Sequence, residues 1–158
     1  MLIFKMIFTP LLAMSVLTAP LSAQDQPISL SGDVKHEKTT VDAAGEAKTE
    51  LVEPNTIVPG DRLIFGTDYT NSSDEQVENF VVTNPLPEAV RLAPDADAAL
   101  TVSVDGGQTF GALSQLSVRA EDGSTRPAEH ADVTHVRWTL ASVAPGESGR
   151  LEYPAIIR

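Results

Sequence analysis

The chain contains no cysteine. That excludes a disulfide framework, thiol chemistry and membrane attachment through a lipidated cysteine. Aromatic residues are scarce, with one Trp, two Tyr and five Phe in 158 residues, and a stacked aromatic platform for sugars is hard to build from so few. Cations are outnumbered, 11 Lys and Arg against 22 Asp and Glu, for a net charge of −11. A chain this acidic repels phosphate backbones and anionic head groups, so neither nucleic acid nor an anionic lipid surface is an expected partner. Also missing are helical periodicity over any window of about eleven or more residues, a Gly-x-Ser-x-Gly nucleophile elbow, an internal repeat, and a low-complexity linker long enough to split the chain.

What is present begins with an apolar run. From Met1 to Ala23 there is no acid and one cation, Lys5, and residues from Met6 to Leu21 are nearly all apolar. The stretch Thr18-Ala19-Pro20-Leu21-Ser22-Ala23 then closes on small residues, the pattern of a secretory signal peptide cut after Ala23. Thr9-Pro10 interrupts the run, which falls short of the roughly 20 residues that span a bilayer. The expectation is therefore an exported protein, periplasmic or extracellular, with no stable membrane insertion after cleavage. Removing residues 1–23 takes Lys5 and no acid, leaving a charge of −12. Roughly 135 residues bury about two-thirds of their unfolded surface, sufficient for a single core without staples.

The rest of the chain alternates with period two in short runs. Leu63, Phe65, Thr67 and Tyr69 share one face; Val102 and Val104 alternate with Thr101 and Ser103. Val136, Trp138 and Leu140 share a face, which makes the single Trp the expected centre of the core. Leu151, Tyr153, Ala155 and Ile157 form another apolar face, and Pro154 in that run points to a sheet edge or a bulge. Pro59-Gly60-Asp61, Asn71-Ser72-Ser73-Asp74, Asn84-Pro85-Leu86-Pro87, Asp105-Gly106-Gly107, Asp122-Gly123-Ser124 and Pro145-Gly146-Glu147 supply the turns. Turns about every ten residues predict an all-β sandwich or barrel, here of about seven or eight strands. Residues 24–50 form either an N-terminal arm or a first hairpin turning at Asp42-Ala43-Ala44-Gly45 and returning over Ala47–Val52; residues 51–158 form the sandwich domain.

No residue is singled out as catalytic, metal-binding or cofactor-binding, and no cofactor is expected. His130 and Asp132 share a face on a strand reading while His135 points away, a poor arrangement for three zinc ligands. The acids at Asp95-Ala96-Asp97, at Asp105 and at Glu121-Asp122 lack the full pattern of a calcium loop and read as solvated turn residues. Ser103-Val104-Asp105-Gly106-Gly107-Gln108-Thr109-Phe110 resembles the Asp-box hairpin of sialidases and related propellers, and one copy in so short a chain reads as a structural turn.

Ile57-Val58-Pro59-Gly60-Asp61-Arg62-Leu63-Ile64-Phe65, then Tyr69-Thr70-Asn71 and Asn79-Phe80-Val81-Val82-Thr83-Asn84-Pro85-Leu86-Pro87, carry a wider resemblance. The Val102-to-Phe110 hairpin and Trp138 followed by Pro145-Gly146-Glu147-Ser148-Gly149 extend it over Leu51 to Ile157. Together they resemble the conserved repeat domain of bacterial surface proteins known as the domain of unknown function eleven family. The resemblance implies an immunoglobulin-like antiparallel β-sandwich of stalk or adhesive proteins, with Pro59-Gly60-Asp61 setting a strand entry, Asn71 closing a turn onto backbone and Trp138 in the core. It carries no catalytic residue. The expected function is a non-catalytic secreted or envelope-associated module that binds a protein or glycan partner. The alternatives are a small secreted hydrolase using acidic residues and a self-associating structural subunit.

Overall fold

The computed structural model describes residues 27–158, so the signal-peptide segment 1–23 lies outside the described residues. Eleven strands follow one another: β1 (Ile28–Val41), β2 (Ala47–Val52), β3 (Arg62–Asn71), β4 (Val77–Pro85), β5 (Val90–Leu92), β6 (Thr101–Ser103), β7 (Gly111–Ala112), β8 (Ser117–Arg119), β9 (Thr125–Pro127), β10 (His135–Val143) and β11 (Ser148–Ile157). They form a five-stranded sheet in the order β2-β1-β3-β11-β5 and a four-stranded sheet in the order β4-β10-β6-β7, with β8 and β9 as a separate hairpin. All pairings are antiparallel. The protein is an all-β sandwich.

Both sheets contribute to one core. Leu63, Tyr153, Ala155, Val90 and Leu92 come from the larger sheet, Val102 and Val136 from the smaller, and Leu100 and Val133 from the connecting segments before β6 and β10. The period-two phase seen in the sequence is the phase that packs: Val136 is fully buried, and Leu63 and Thr67 are buried on the face they share. The centre of the core, however, is Tyr153 and not Trp138. Tyr153 is 1% exposed and stacks on Phe65 with ring centroids 5.0 Å apart. Trp138 is half-buried and leans on Tyr153 at 6.2 Å. Alternation places both rings inward; only the position of their strands decides which ring is central.

Pro154 also departs from expectation, because β11 lies between β3 and β5 rather than at an edge. A residue's backbone N and C=O point to the same side of a strand, and the Pro154 carbonyl accepts from the Ala93 amide at 3.0 Å, just beyond the end of β5. The donor that proline lacks would face the Ala93 carbonyl, which accepts from the Ala96 amide at 3.0 Å instead, so the acceptor opposite Pro154 is not left unpaired.

Taking β1, β3, β4, β5, β6, β10 and β11 as the first to seventh principal strands, the larger sheet runs first, second, seventh, fourth and the smaller third, sixth, fifth. The immunoglobulin order places the fifth strand beside the second and the seventh beside the sixth. Here those two have exchanged places, and the consecutive strands β10 and β11 lie in opposite sheets.

The turns act through the chemistry that marks them in sequence. Gly60 has φ 96° and follows Pro59, and the Asp61 amide donates back to the Val58 carbonyl, as a type II turn requires. Asp61 then caps the turn by accepting from the Val58 amide at 2.9 Å. Between β1 and β2, Asp42 accepts from the amides of Ala44 and Glu46 and donates its own amide to the Glu46 carbonyl. The segment from Ile28 to Val52 is thus an ordered hairpin whose distal half, Lys38 to Leu51, is exposed throughout.

Candidate functional site

One cleft of about 590 Å³ opens at an end of the sandwich. Its floor is Leu92 on β5, Leu100 at the end of the β5–β6 loop, Val102 on β6 and Leu113 in the 3₁₀ turn Leu113–Gln115. Its walls are small: Ala96 and Ala98 on one side, Ala128 and Ala131 on the other. The cleft lies between the β5–β6 loop and the segment that leads into the 3₁₀ turn His130–Asp132, and four of its lining residues are alanines.

Hydrogen bonds fix both walls. Arg126 grips Asp132 with two contacts of 2.7 Å, and Asp132 accepts from the Glu129 amide at 2.8 Å. The Arg126 hydrogen bond holds the Asp132 carboxyl below the usual range. Arg158 clamps the same turn by donating to the carbonyls of Ala131 at 2.7 Å and Val90 at 2.8 Å. On the opposite wall Asp97 caps the Ala99 amide at 2.9 Å, and Asp95 pairs with Arg62 at 2.7 Å. Arg91 at the rim makes no ion pair among the described residues. The site thus offers an apolar floor, a fixed frame and one unengaged cation. No Phe, Tyr or Trp lines it.

The histidines lie apart. His36 is buried on β1, 3.5 Å from Asp61; His130 lines the cleft; His135 lies on β10 edge-on to Phe110. His130 and Asp132 belong to a 3₁₀ turn rather than a strand, so they do not share a strand face. Among the described residues no group of three or more His, Asp or Glu is placed to hold a metal ion. The His135 ring lies 3.1 Å from the Thr134 hydroxyl, but that hydroxyl already donates to the Ser103 carbonyl and accepts from the Gly106 amide.

Asp105 closes the turn between β6 and β7. It accepts from the Thr109 hydroxyl at 2.6 Å, the amides of Gln108 and Thr109, and the Ser103 hydroxyl at 2.7 Å. The Thr109 hydroxyl and amide, then the Ser103 hydroxyl, hold its carboxyl well below the ordinary aspartate range. Because the folded state favours the ionised form, the stabilisation is present above about pH 4 and is lost as pH falls below it. The denaturant midpoints of wild type and Asp105→Asn should therefore converge as pH is lowered through that value. A gap that stays constant would show that Asp105 does not titrate against the fold.

The cleft residues come from three separated segments, Arg91 to Val102, Leu113–Ser114 and Ala128 to Ala131, and only the concentration of alanines in the first and last hints at it in sequence. No protein-family model, no curated protein and no solved structure matches this chain.

Proposed function

We propose that this chain is an exported, non-catalytic interaction module whose end cleft receives an apolar side chain of a protein partner. The observation that carries this is a half-open cavity floored by Leu92, Leu100, Val102 and Leu113 beside the unengaged Arg91. An apolar pocket with few placed polar groups is the usual form of a binding site, and without a Phe, Tyr or Trp it favours an aliphatic protein side chain over a stacked sugar. Arg91 adds a counter-charge for an acidic neighbour in that partner. The address rests on the Lys5 and apolar-run pattern of residues 1–23, and the resemblance of 51–157 to the conserved repeat domain rests on its sequence motifs.

The test uses protein recovered from a bacterial envelope fraction, where the chain should begin near Gln24. Ala131, exposed on the cleft wall, is replaced by Trp to block the cavity. Immobilised wild type should retain an envelope protein that Ala131→Trp loses, while the two melt alike. Equal retention by both would overturn the assignment of the cleft. Hydrolysis of a glycan or ester panel that disappears on changing one carboxylate would replace it with the hydrolase reading.

A further inference from the structure

The β1–β2 hairpin carries a surface independent of the cleft. The larger sheet ends on β2, and β2 pairs only with β1. The Asp42 amide donates to the Glu46 carbonyl, so in this antiparallel ladder Asp42–Glu46, Thr40–Lys48 and Lys38–Glu50 are the hydrogen-bonded pairs. By alternation, the backbone N–H and C=O groups of Ala47, Thr49 and Leu51 point away from β1, into solvent. An edge of this kind is a template for another strand unless something blunts it.

The other sheet ends are blunted. The β4 ladder to β10 misses the Asn79–Ala141 pair, where Asn79 adopts φ 52°, β5 is three residues long and β7 two. β2 is six residues, regular, and has no proline.

Its sequence, Ala47-Lys48-Thr49-Glu50-Leu51, is self-complementary about Thr49. In an antiparallel pair of identical strands with the two-fold axis at Thr49, Thr49 faces Thr49, Ala47 faces Leu51, and Lys48 faces Glu50. The first two are the residues with outward backbone groups, so all three residues of each edge form hydrogen-bonded rungs. Lys48 and Glu50 then occupy the non-hydrogen-bonded pairs, where opposing side chains lie closest. Each Glu50 would stand between Lys38 of its own hairpin, its register partner, and Lys48 of the second copy.

The side chains suit this arrangement. Beyond the buried His36, the core-side face of the hairpin turns charged, with Lys38, Lys48 and Glu50, so the domain's own core does not extend over it. The opposite face carries Thr39, Val41, Ala47, Thr49 and Leu51, with Val41 68% and Leu51 52% exposed. Strand pairing sets Ala47 of each copy beside Leu51 of the other on that face.

We propose that two copies of this chain associate through β2, forming a continuous ten-stranded sheet across a two-fold axis at Thr49. This is an isologous contact that closes on itself, because each strand edge is used once.

Sedimentation or light scattering of the purified protein should show a concentration-dependent mass that doubles. Lys48→Glu alone would set two glutamates together in both pairs, and Glu50→Lys alone would set two lysines together. Each variant should weaken self-association by about tenfold or more. Mixed in equal amounts, the two variants restore opposite charge in both pairs and should form the heterodimer in preference to either homodimer. Repair within one chain cannot produce that result, since each variant still carries like charges on its own strand. Thr49→Pro, which removes the central donor, should give monomer with an unchanged far-ultraviolet spectrum. The proposal is overturned by a wild type that stays monomeric at every concentration reached, or by a dimer that neither charge variant weakens. Failure of the cleft assignment leaves this result unaffected, since no cleft residue is altered.

Discussion

Tyr153→Ala is expected to cost about 3–5 kcal/mol, the range for emptying a core aromatic site, out of a total stability of about 5–15 kcal/mol for a domain. The phenol ring is 1% exposed and lies parallel to Phe65, with Trp138 against it, so the truncation leaves a void between the two remaining rings. Trp138→Ala should cost less, about 2 kcal/mol, because the indole is only half-buried. Tyr153→Phe should be close to neutral at pH 7, since the hydroxyl makes no hydrogen bond to protein among the described residues. Burial pushes that hydroxyl's pKa up to about 12. The folded state therefore holds the proton more tightly than the unfolded chain, and this stability is present below about pH 10 and lost as pH rises through 12. Tyr153→Phe should remove that part of the alkaline loss. Denaturant midpoints of the three variants at neutral and alkaline pH decide the matter. If Trp138→Ala proved the costlier truncation, the indole would be the centre after all.

Asn71→Ala is expected to destabilise by the upper part of about 1–3 kcal/mol, the cost of leaving a buried polar group without its partner. Asn71 is 0% exposed and its side chain makes four hydrogen bonds. The amide donates to the carbonyls of Glu75 at 2.7 Å and Val143 at 3.0 Å, and the side-chain oxygen accepts from the Ser73 amide at 3.0 Å and the Ser73 hydroxyl at 2.7 Å. Its backbone adds two more, donating to the Glu147 carbonyl and accepting from the Gly146 amide. One residue thus ties the end of β3, the loop before β4 and the β10–β11 connection, where the chain crosses between sheets. Asn71→Asp should cost more than Asn71→Ala, because it sets acceptor against acceptor and buries a charge. Hydrogen exchange should quicken first at the amides of residue 71, Ser73 and Gly146. A variant with wild-type midpoint and wild-type exchange in these turns would show the network to be dispensable.

Asn71 closes a turn onto the backbone of Ser73 and Glu75 and makes a further bond across to β10. That second reach is invisible along the chain, since Val143 is far from Asn71 in sequence and meets it only when the sheets stack. The same distance hides the cleft, whose alanines are unremarkable until the β5–β6 loop and the turn after β9 face each other.

The all-β class, the turns named above and the phase of β3, β6, β10 and β11 follow from the chain alone, because period-two alternation and the φ preferences of Pro, Gly and Asn act between residues that are neighbours in the chain. Asp42, Pro59-Gly60 and Asp105 shape their turns by hydrogen bonds or backbone angles within a few residues. Everything that depends on which strands become neighbours arises from the packing of the two sheets. That packing set Tyr153 rather than Trp138 at the core centre, made β11 an interior strand despite Pro154, exchanged two strands relative to the immunoglobulin order and left β2 as an open edge. Those outcomes rest on contacts between distant segments, whose free energy depends on the packing of two whole sheets and leaves no local periodic trace in the chain.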